Sequence, residues 1–284
     1  MKVAVTGATG RVGHAIAAHL VAQGHQVTTL GRRALPSMAH VIWDLTQPPP
    51  DLSGQDALVH AAFAHVAGKY RGGEGDDPAT FRALNLDGTL RLFQQARDAG
   101  VGRILFLSSR AVYDGYPAGT ALPDGLPARA NSLYGQLKAE AEAWLAAQTG
   151  LVTASLRATG VYGPGALGQP HKWADLFAGY AKGETPPPRV GSEVHAGDLA
   201  AAVDLLLSAP AAALAPATFN ISDILLDQHD LLAAYADLTG ITHPLPPRAD
   251  PSQVSVMACD RLRALGWQPR GMAGLKPAIR DLIG

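Results

Sequence analysis

Apolar residues fall into two alternating patterns along the first half of the chain. Short β-rich runs stand at 2–7 (KVAVTG), 25–31 (HQVTTLG), 39–45 (AHVIWDL), 56–62 (DALVHAA), 102–109 (GRILFLSS) and 151–157 (LVTASLR). Between them lie segments with helical spacing of apolar positions, at 12–24, 81–100 and 132–148, the first two closed by glycine. Strands separated by helical crossovers predict a parallel sheet covered on both faces. After residue 160 the alternation breaks. Proline-bearing loops occur at 185–188 and 243–247, helices are expected near 172–182, 196–208, 228–239 and 258–266, and a strand at 217–223. The expected architecture is α/β: a doubly wound, Rossmann-type dinucleotide-binding domain over 1–160 and a smaller, partly interleaved C-terminal substrate lobe over 161–284. Segments near 190–223 are expected to return to the sheet.

Composition narrows the function. The 284 residues are 47% hydrophobic and 17% charged, with a formal net charge of −1. No global field favours nucleic acid or an anionic membrane. Ten histidines are scattered without metal-ligand spacing, and Cys259 is the only cysteine. A metal site and an internal disulfide are therefore not expected. No apolar run reaches the roughly 18 residues of a membrane span. The N-terminal stretch lacks a signal peptide's apolar core, and a cytoplasmic protein acting on a small molecule is expected.

TGATGRVG places Gly7, Gly10 and Gly13 directly between a strand and a helix. Small residues there permit a tight turn and let the backbone approach a pyrophosphate, whose charge meets the helix N-terminus. Within SLYGQLKAEAEAWLAAQ (132–148), Tyr134 and Lys138 are one helical turn apart and share a face. A phenol titrates near ~10, and a neighbouring ammonium favours the phenolate. Such a pair can exchange a proton with a substrate hydroxyl; a solvated surface pair is the plain alternative. Strand two ends in Gly31, followed by Arg32 and Arg33, where a carboxylate would bind the adenosine ribose of NAD. Glycine leaves room for a 2′-phosphate and a guanidinium can grip it. Arg11 can add a second cation. NADP(H) is therefore expected over NAD(H).

Several stretches together resemble the extended short-chain dehydrogenases/reductases, the NAD-dependent epimerase/dehydratase branch. They are the glycine loop, HAA (60–62), LSSRAVYDG (107–115), YGQLK (134–138), LRATGVYGPG (156–165), SEVHAGDLA (192–200) and CDRLRALGWQPR (259–270). The segments at 111–115 and 130–142 also look like the dTDP-4-dehydrorhamnose reductases. The resemblance implies Tyr134 as general acid/base, Lys138 on the nicotinamide ribose, and Ser109 as the hydroxyl that bonds the reacting oxygen. It implies dinucleotide contacts at Gly7, Thr9, Gly10, Arg11, Val12, Gly13, Ala61 and Ala62, with Asp44 and Leu45 at the adenine. Tyr162 and His195 would line the substrate pocket, and Asn85 would either act through water or pack its helix. Trp144 and Trp267 read as core anchors. Arg110 and Ala111 stand where the branch's dehydratases carry an acidic pair, which argues against dehydration. Three readings stay open: a carbonyl/hydroxyl oxidoreductase, with a nucleotide sugar as one candidate substrate; an epimerase with tightly held NAD; and a non-catalytic dinucleotide sensor. A homodimer is compatible with each. The loop at 63–80 is a candidate lid.

Overall fold

The computed structural model describes residues 1–65 and 74–284. Seven parallel strands form the main sheet: β1 (Lys2–Thr6), β2 (Gln26–Gly31), β3 (Ala39–Ile42), β4 (Ala57–His60), β5 (Arg103–Ser109), β6 (Val152–Ala158) and β9 (Thr218–Ile221). Their order is β3-β2-β1-β4-β5-β6-β9, so the chain reverses direction across the sheet after β3. The crevice at that reversal, outside the carboxyl ends of β1 and β4, is where such sheets bind ligands. α1 (Arg11–Ala22) packs with α6 (Ala196–Ser208) on one face. α3 (Gly88–Asp98) and α4 (Leu133–Ala146) pack together and cover the other. α2 (Pro78–Arg82) runs into α3 through a π-helical turn, Ala83–Asp87. Both faces are dry: Val3, Val5, Ile16, Leu20 and Val203 fill one core, and Leu58, Phe93, Ile104, Leu137 and Leu145 the other. Central strands buried on both faces need unbroken apolar runs, as β4 and β5 have.

β7 (Gly160–Tyr162), β8 (Val190–His195) and β10 (Ile224–Asp227) form a separate three-stranded sheet. β9 returns to the main sheet, whereas β8 does not, because its partners are β7 and β10. With α5 (Ala174–Ala181), α7 (Gln228–Thr239) and α9 (Leu275–Ile283) the small sheet encloses an aromatic core of Tyr162, Trp173, Phe177, Tyr180 and Tyr235. α8 (Asp260–Ala264) lies against β9. Trp267 is buried and donates its indole N–H to the Asp198 carbonyl at 2.8 Å. The small strands escape the sequence pattern because three- to six-residue strands show too few alternations.

Two glycines set the crevice. Gly7 has φ +71°, and a Cβ there would lie 2.7 Å from the Ala61 carbonyl carbon and the Ala62 nitrogen. At Gly13 a Cβ would lie 2.2 Å from the Gly7 oxygen. At Gly10 the nearest atom would be 3.3 Å away. Gly13→Ala is therefore expected to destabilise the protein by about 1–3 kcal/mol through overpacking, and Gly10→Ala by clearly less, measured by urea unfolding. Equal midpoints for the two variants would contradict this packing.

Candidate active site

The first turn of α1 starts at Arg11 behind Gly10, with no side-chain cap. Its N–H groups face outward from the glycine loop, the arrangement that suits an anion. Gly7, Thr9, Gly10, Val12 and Gly13 all belong to this turn, and Ala61 and Ala62 back it. Behind them runs a chain of hydrogen bonds that sequence reading missed. The Thr6 hydroxyl oxygen accepts the N–H groups of Ala61 and Ala62 at 3.1 and 3.0 Å. Its own hydrogen is left for His60 Nδ1 at 2.8 Å. His60 Nε2–H then donates to Thr89 Oγ1 at 3.0 Å, which donates to the Asn85 carbonyl at 2.8 Å. Burial first, and the Lys138 charge second, push the His60 imidazole down to about 3. The ring is thus a neutral, fully buried strut.

Asn85, in the π-helical turn, is spent on structure. Its amide oxygen accepts from Ala64 N at 2.7 Å and its NH₂ donates to the carbonyls of Ala64 and Phe81. Of the two roles weighed for it, packing is the one its bonds serve. The candidate lid at 63–80 falls in part, at 66–73, outside the described residues.

Beyond β2 and β3, Arg32 and Asp44 line one cavity of about 370 Å³ with Ile42, Trp43 and Pro48. A Cβ at Gly31 would meet nothing within 4 Å, so the end of β2 is open. Arg32 and Arg33 are exposed there. Asp44 lies two residues beyond β3 rather than closing it. Its carboxylate accepts from Thr46 N at 2.8 Å and Thr46 Oγ1 at 2.5 Å. Those bonds, with Arg32 nearby, hold it below the usual carboxylate range. The Leu45 side chain is buried against the core beneath Gly88, whose Cβ position lies 2.6 Å from the Leu45 carbonyl oxygen.

The residues expected to transfer a proton are held by α4 against β5. Ser132 caps α4, accepting from Gly135 N and donating to Asp114 at 2.5 Å. Gly135 is required there, since a Cβ would lie 2.4 Å from the Ala111 carbonyl oxygen. α4 thereby rests directly on the 3₁₀ turn Arg110–Tyr113, which follows Ser109 and is capped by its hydroxyl. Ser109 Oγ accepts from Ala111 N at 3.1 Å, leaving its hydrogen to donate. Lys138 is buried, and its ammonium donates to the Leu107 carbonyl at 2.7 Å. The Phe63 and Phe106 rings each lie 4.6 Å from Nζ, and the Tyr134 ring 5.9 Å. Phe63 also meets Tyr134 edge to face at 5.0 Å. Burial pushes the Lys138 ammonium down to about 7, with the Glu142 carboxylate opposing. Ser109, Tyr134 and Lys138 thus belong to one packed unit at the carboxyl end of β5. Phe63 was not anticipated; an aromatic residue just past a strand gives no pattern of its own.

The substrate-lobe expectations divide. Tyr162 is fully buried, stacked on Trp173 at 4.8 Å, and burial pushes its phenol up. It shapes the wall of the lobe, within the aromatic core. His195 caps α6, its Nδ1 accepting from Gly197 N at 3.0 Å. Burial, then the Arg270 charge, push it down to about 4. Arg11 reaches across from the glycine loop to the Pro170 carbonyl at 3.2 Å, which links the two halves of the cleft. Arg110 donates to the Ser255 carbonyl at 2.8 Å and Ala111 is buried, so no carboxylate follows Ser109. Among the described residues, no group of His, Cys, Asp or Glu could hold a metal ion, and no helix is long and apolar enough to cross a membrane.

A model of the NAD dependent epimerase/dehydratase family matches residues 3–222, and the chain belongs to that family. Over 196 residues it is 30% identical to the 3-beta-hydroxysteroid dehydrogenase of Mycolicibacterium neoaurum, covering 64% of this chain and 53% of the relative. Over 179 residues it is 30% identical to the UDP-glucose 4-epimerase of Corynebacterium glutamicum, covering 57% and 53%. The matches thus span about half the length of these curated relatives. The UDP-glucose 4-epimerase of Thermus thermophilus, solved with NAD, superposes with a TM-score of 0.78 at 27% identity, covering 100% of this chain and 99% of that one.

The neutral His60 carries a pH signature. The unfolded chain takes up its proton near 6.5, the folded one only near 3. Between those values the unfolded state binds the extra proton, so stability falls as pH drops, by at most about 1.4 kcal/mol per unit. In His60→Gln that contribution is gone. Its stability deficit against wild type should shrink between about pH 6.5 and 4, read from urea unfolding at each pH. A deficit that stays constant would mean that His60 is protonated in the fold.

Proposed function

We propose that the protein is a dinucleotide-dependent oxidoreductase that interconverts a carbonyl and a hydroxyl, with a nucleotide sugar as the favoured substrate class and NADP(H) as the favoured cofactor. The observation that carries this reading is the buried Lys138 ammonium beside Tyr134, on a helix seated against Ser109. The residues present fit a nicotinamide dinucleotide: an uncapped helix N-terminus behind close-packed glycines, and an open cavity that holds Arg32. When bound, the nicotinamide supplies or accepts the hydride. In the reducing direction the substrate carbon gains that hydride and Tyr134 gives its hydroxyl proton to the oxygen, so the carbonyl becomes an alcohol. Ser109 donates a hydrogen bond to the same oxygen and orients it. Lys138 stabilises the phenolate that remains until a solvent proton restores it. In the oxidising direction each transfer reverses. The expected compartment is the cytoplasm.

A panel of carbonyl substrates and sugar nucleotides with NADPH, followed at 340 nm, identifies the reaction. Tyr134→Phe is expected to lower turnover about 100- to 10,000-fold while dinucleotide affinity stays nearly unchanged, because only the proton transfer is lost. Turnover within a few fold of wild type would refute the mechanism and favour a sensor.

Arg32 and the open Gly31 support a 2′-phosphate contact. A charge-assisted hydrogen bond contributes about 1.5–3 kcal/mol, so calorimetry should show NADPH bound roughly 10- to 100-fold more tightly than NADH. The preference should vanish in Arg32→Ala/Arg33→Ala. Equal affinities in wild type would favour a second reading, supported by the NAD-bound epimerase of matching fold. In that reading NAD copurifies and a sugar is epimerised without net change at 340 nm.

A further inference from the structure

Behind the reactive unit lies a second buried polar cluster. Glu142 stands one turn beyond Lys138, so residues 134, 138 and 142 share one edge of α4. Its carboxylate accepts from Ser108 Oγ at 2.5 Å, and from Arg157 Nε at 3.1 Å and Nη2 at 2.6 Å. The Glu142 and Arg157 side chains are each only 5% exposed. Arg157 also donates to the Tyr113 hydroxyl at 2.6 Å and to the Leu126 carbonyl at 2.7 Å. Tyr113 donates on to Asn220 Oδ1 at 2.8 Å, and Asn220 donates to the carbonyls of Leu122 and Ala258. The cluster ties together β5, α4, β6, the turn after Ser109 and β9. Every bond in it lies between protein groups, so no part of it needs a ligand to be satisfied.

We propose that Glu142 and Arg157 are positioning residues for the Tyr134–Lys138 pair: their buried ion pair locks α4 in register with Ser109 and governs the charge on Lys138. Ser108 and Ser109 are adjacent, so the strand that presents one hydroxyl to the substrate side is held through the other to α4. Among the described residues the Lys138 ammonium meets a carbonyl and three aromatic rings, and burial disfavours its charge. Among the described residues, the charged and titratable groups around it are Glu142 and Tyr134 on its own helix, neutral His60 on β4, and Arg157 with Tyr113 behind Glu142. Glu142 is the only anion in that set. Arg157 offsets part of its field, so the pair sets a balance: enough negative charge to keep the ammonium, and not so much as to leave a bare carboxylate in the core.

This inference rests on the acid/base roles given to Tyr134 and Lys138, and its test does not require turnover. The side-chain ammonium of Lys138 is titrated by NMR in wild type and variants of the full chain, with Lys138→Met used to assign the signal. Glu142→Gln should lower the midpoint, and Arg157→Met should raise it, each by about one pH unit. The double variant should fall between the two, and it stays measurable if a single variant, with one buried charge unpaired, does not fold. The pH profile of turnover should move in the same directions. A purely structural role would loosen both single variants without opposite shifts. Unchanged midpoints, shifts in one common direction, or a double variant outside the range of the singles and wild type would overturn the proposal. Opposite shifts in a protein whose Tyr134→Phe variant keeps full turnover would uphold the pair's effect on Lys138 and remove only the catalytic reading.

Discussion

A lysine ammonium buried at the end of a parallel strand is the constraint around which the site is built. Taking that charge from water is costly unless carbonyl, aromatic and anionic partners replace the solvent. Lys138 obtains a carbonyl from Leu107, ring faces from Phe63 and Phe106, and the field of Glu142. These partners come from different elements. The ammonium is satisfied only when α4, β5 and the segment after β4 are all in place. Gly135 allows the helix to come close enough, and Asp114 holds the capping Ser132 that starts it.

The glycine loop depends on the opposite device, the absence of side chains. Gly7 and Gly13 let the loop, the helix and the Ala61–Ala62 backbone approach within distances that any Cβ would violate. The Thr6–His60–Thr89 chain then fixes that backbone from behind. His60 also lies under the same charge that Lys138 carries, so the support of the glycine loop and the Tyr134–Lys138 pair are electrically coupled. A neutral imidazole is what such a location permits, because a second cation beside the ammonium would be repelled and desolvated together.

Much of this was legible in the residues. The six strands of the first half and β9 appear as apolar runs, Gly7, Gly13, Tyr134 and Lys138 stand out by spacing against those elements, and the resemblance singles out Ser109. Three features were hidden for physical reasons. The strands of the small sheet are too short for periodicity. The burial of Tyr162 and Leu45 was hidden because sequence does not show which side of a backbone faces the core. The His60 and Arg157 networks join residues up to 107 positions apart, and nothing local announces a long-range hydrogen bond. Glu142 was the exception: its four-residue step beyond Lys138 places it on the same helix edge, and that spacing was there to be read.

On the proposed reading, one edge of α4 meets the reactive end of a dinucleotide. A crystal structure of the NADPH complex decides this, with no substrate needed. The pyrophosphate is expected at the first turn of α1 and the 2′-phosphate beside Arg32. The nicotinamide ribose is expected on Lys138, and the ring beside the gap between Ser109 and Tyr134, close enough for a substrate carbon to sit about 3–3.5 Å from the transferring position. A dinucleotide bound with its nicotinamide pointing away from Tyr134, or held only by its adenosine end, would contradict that claim.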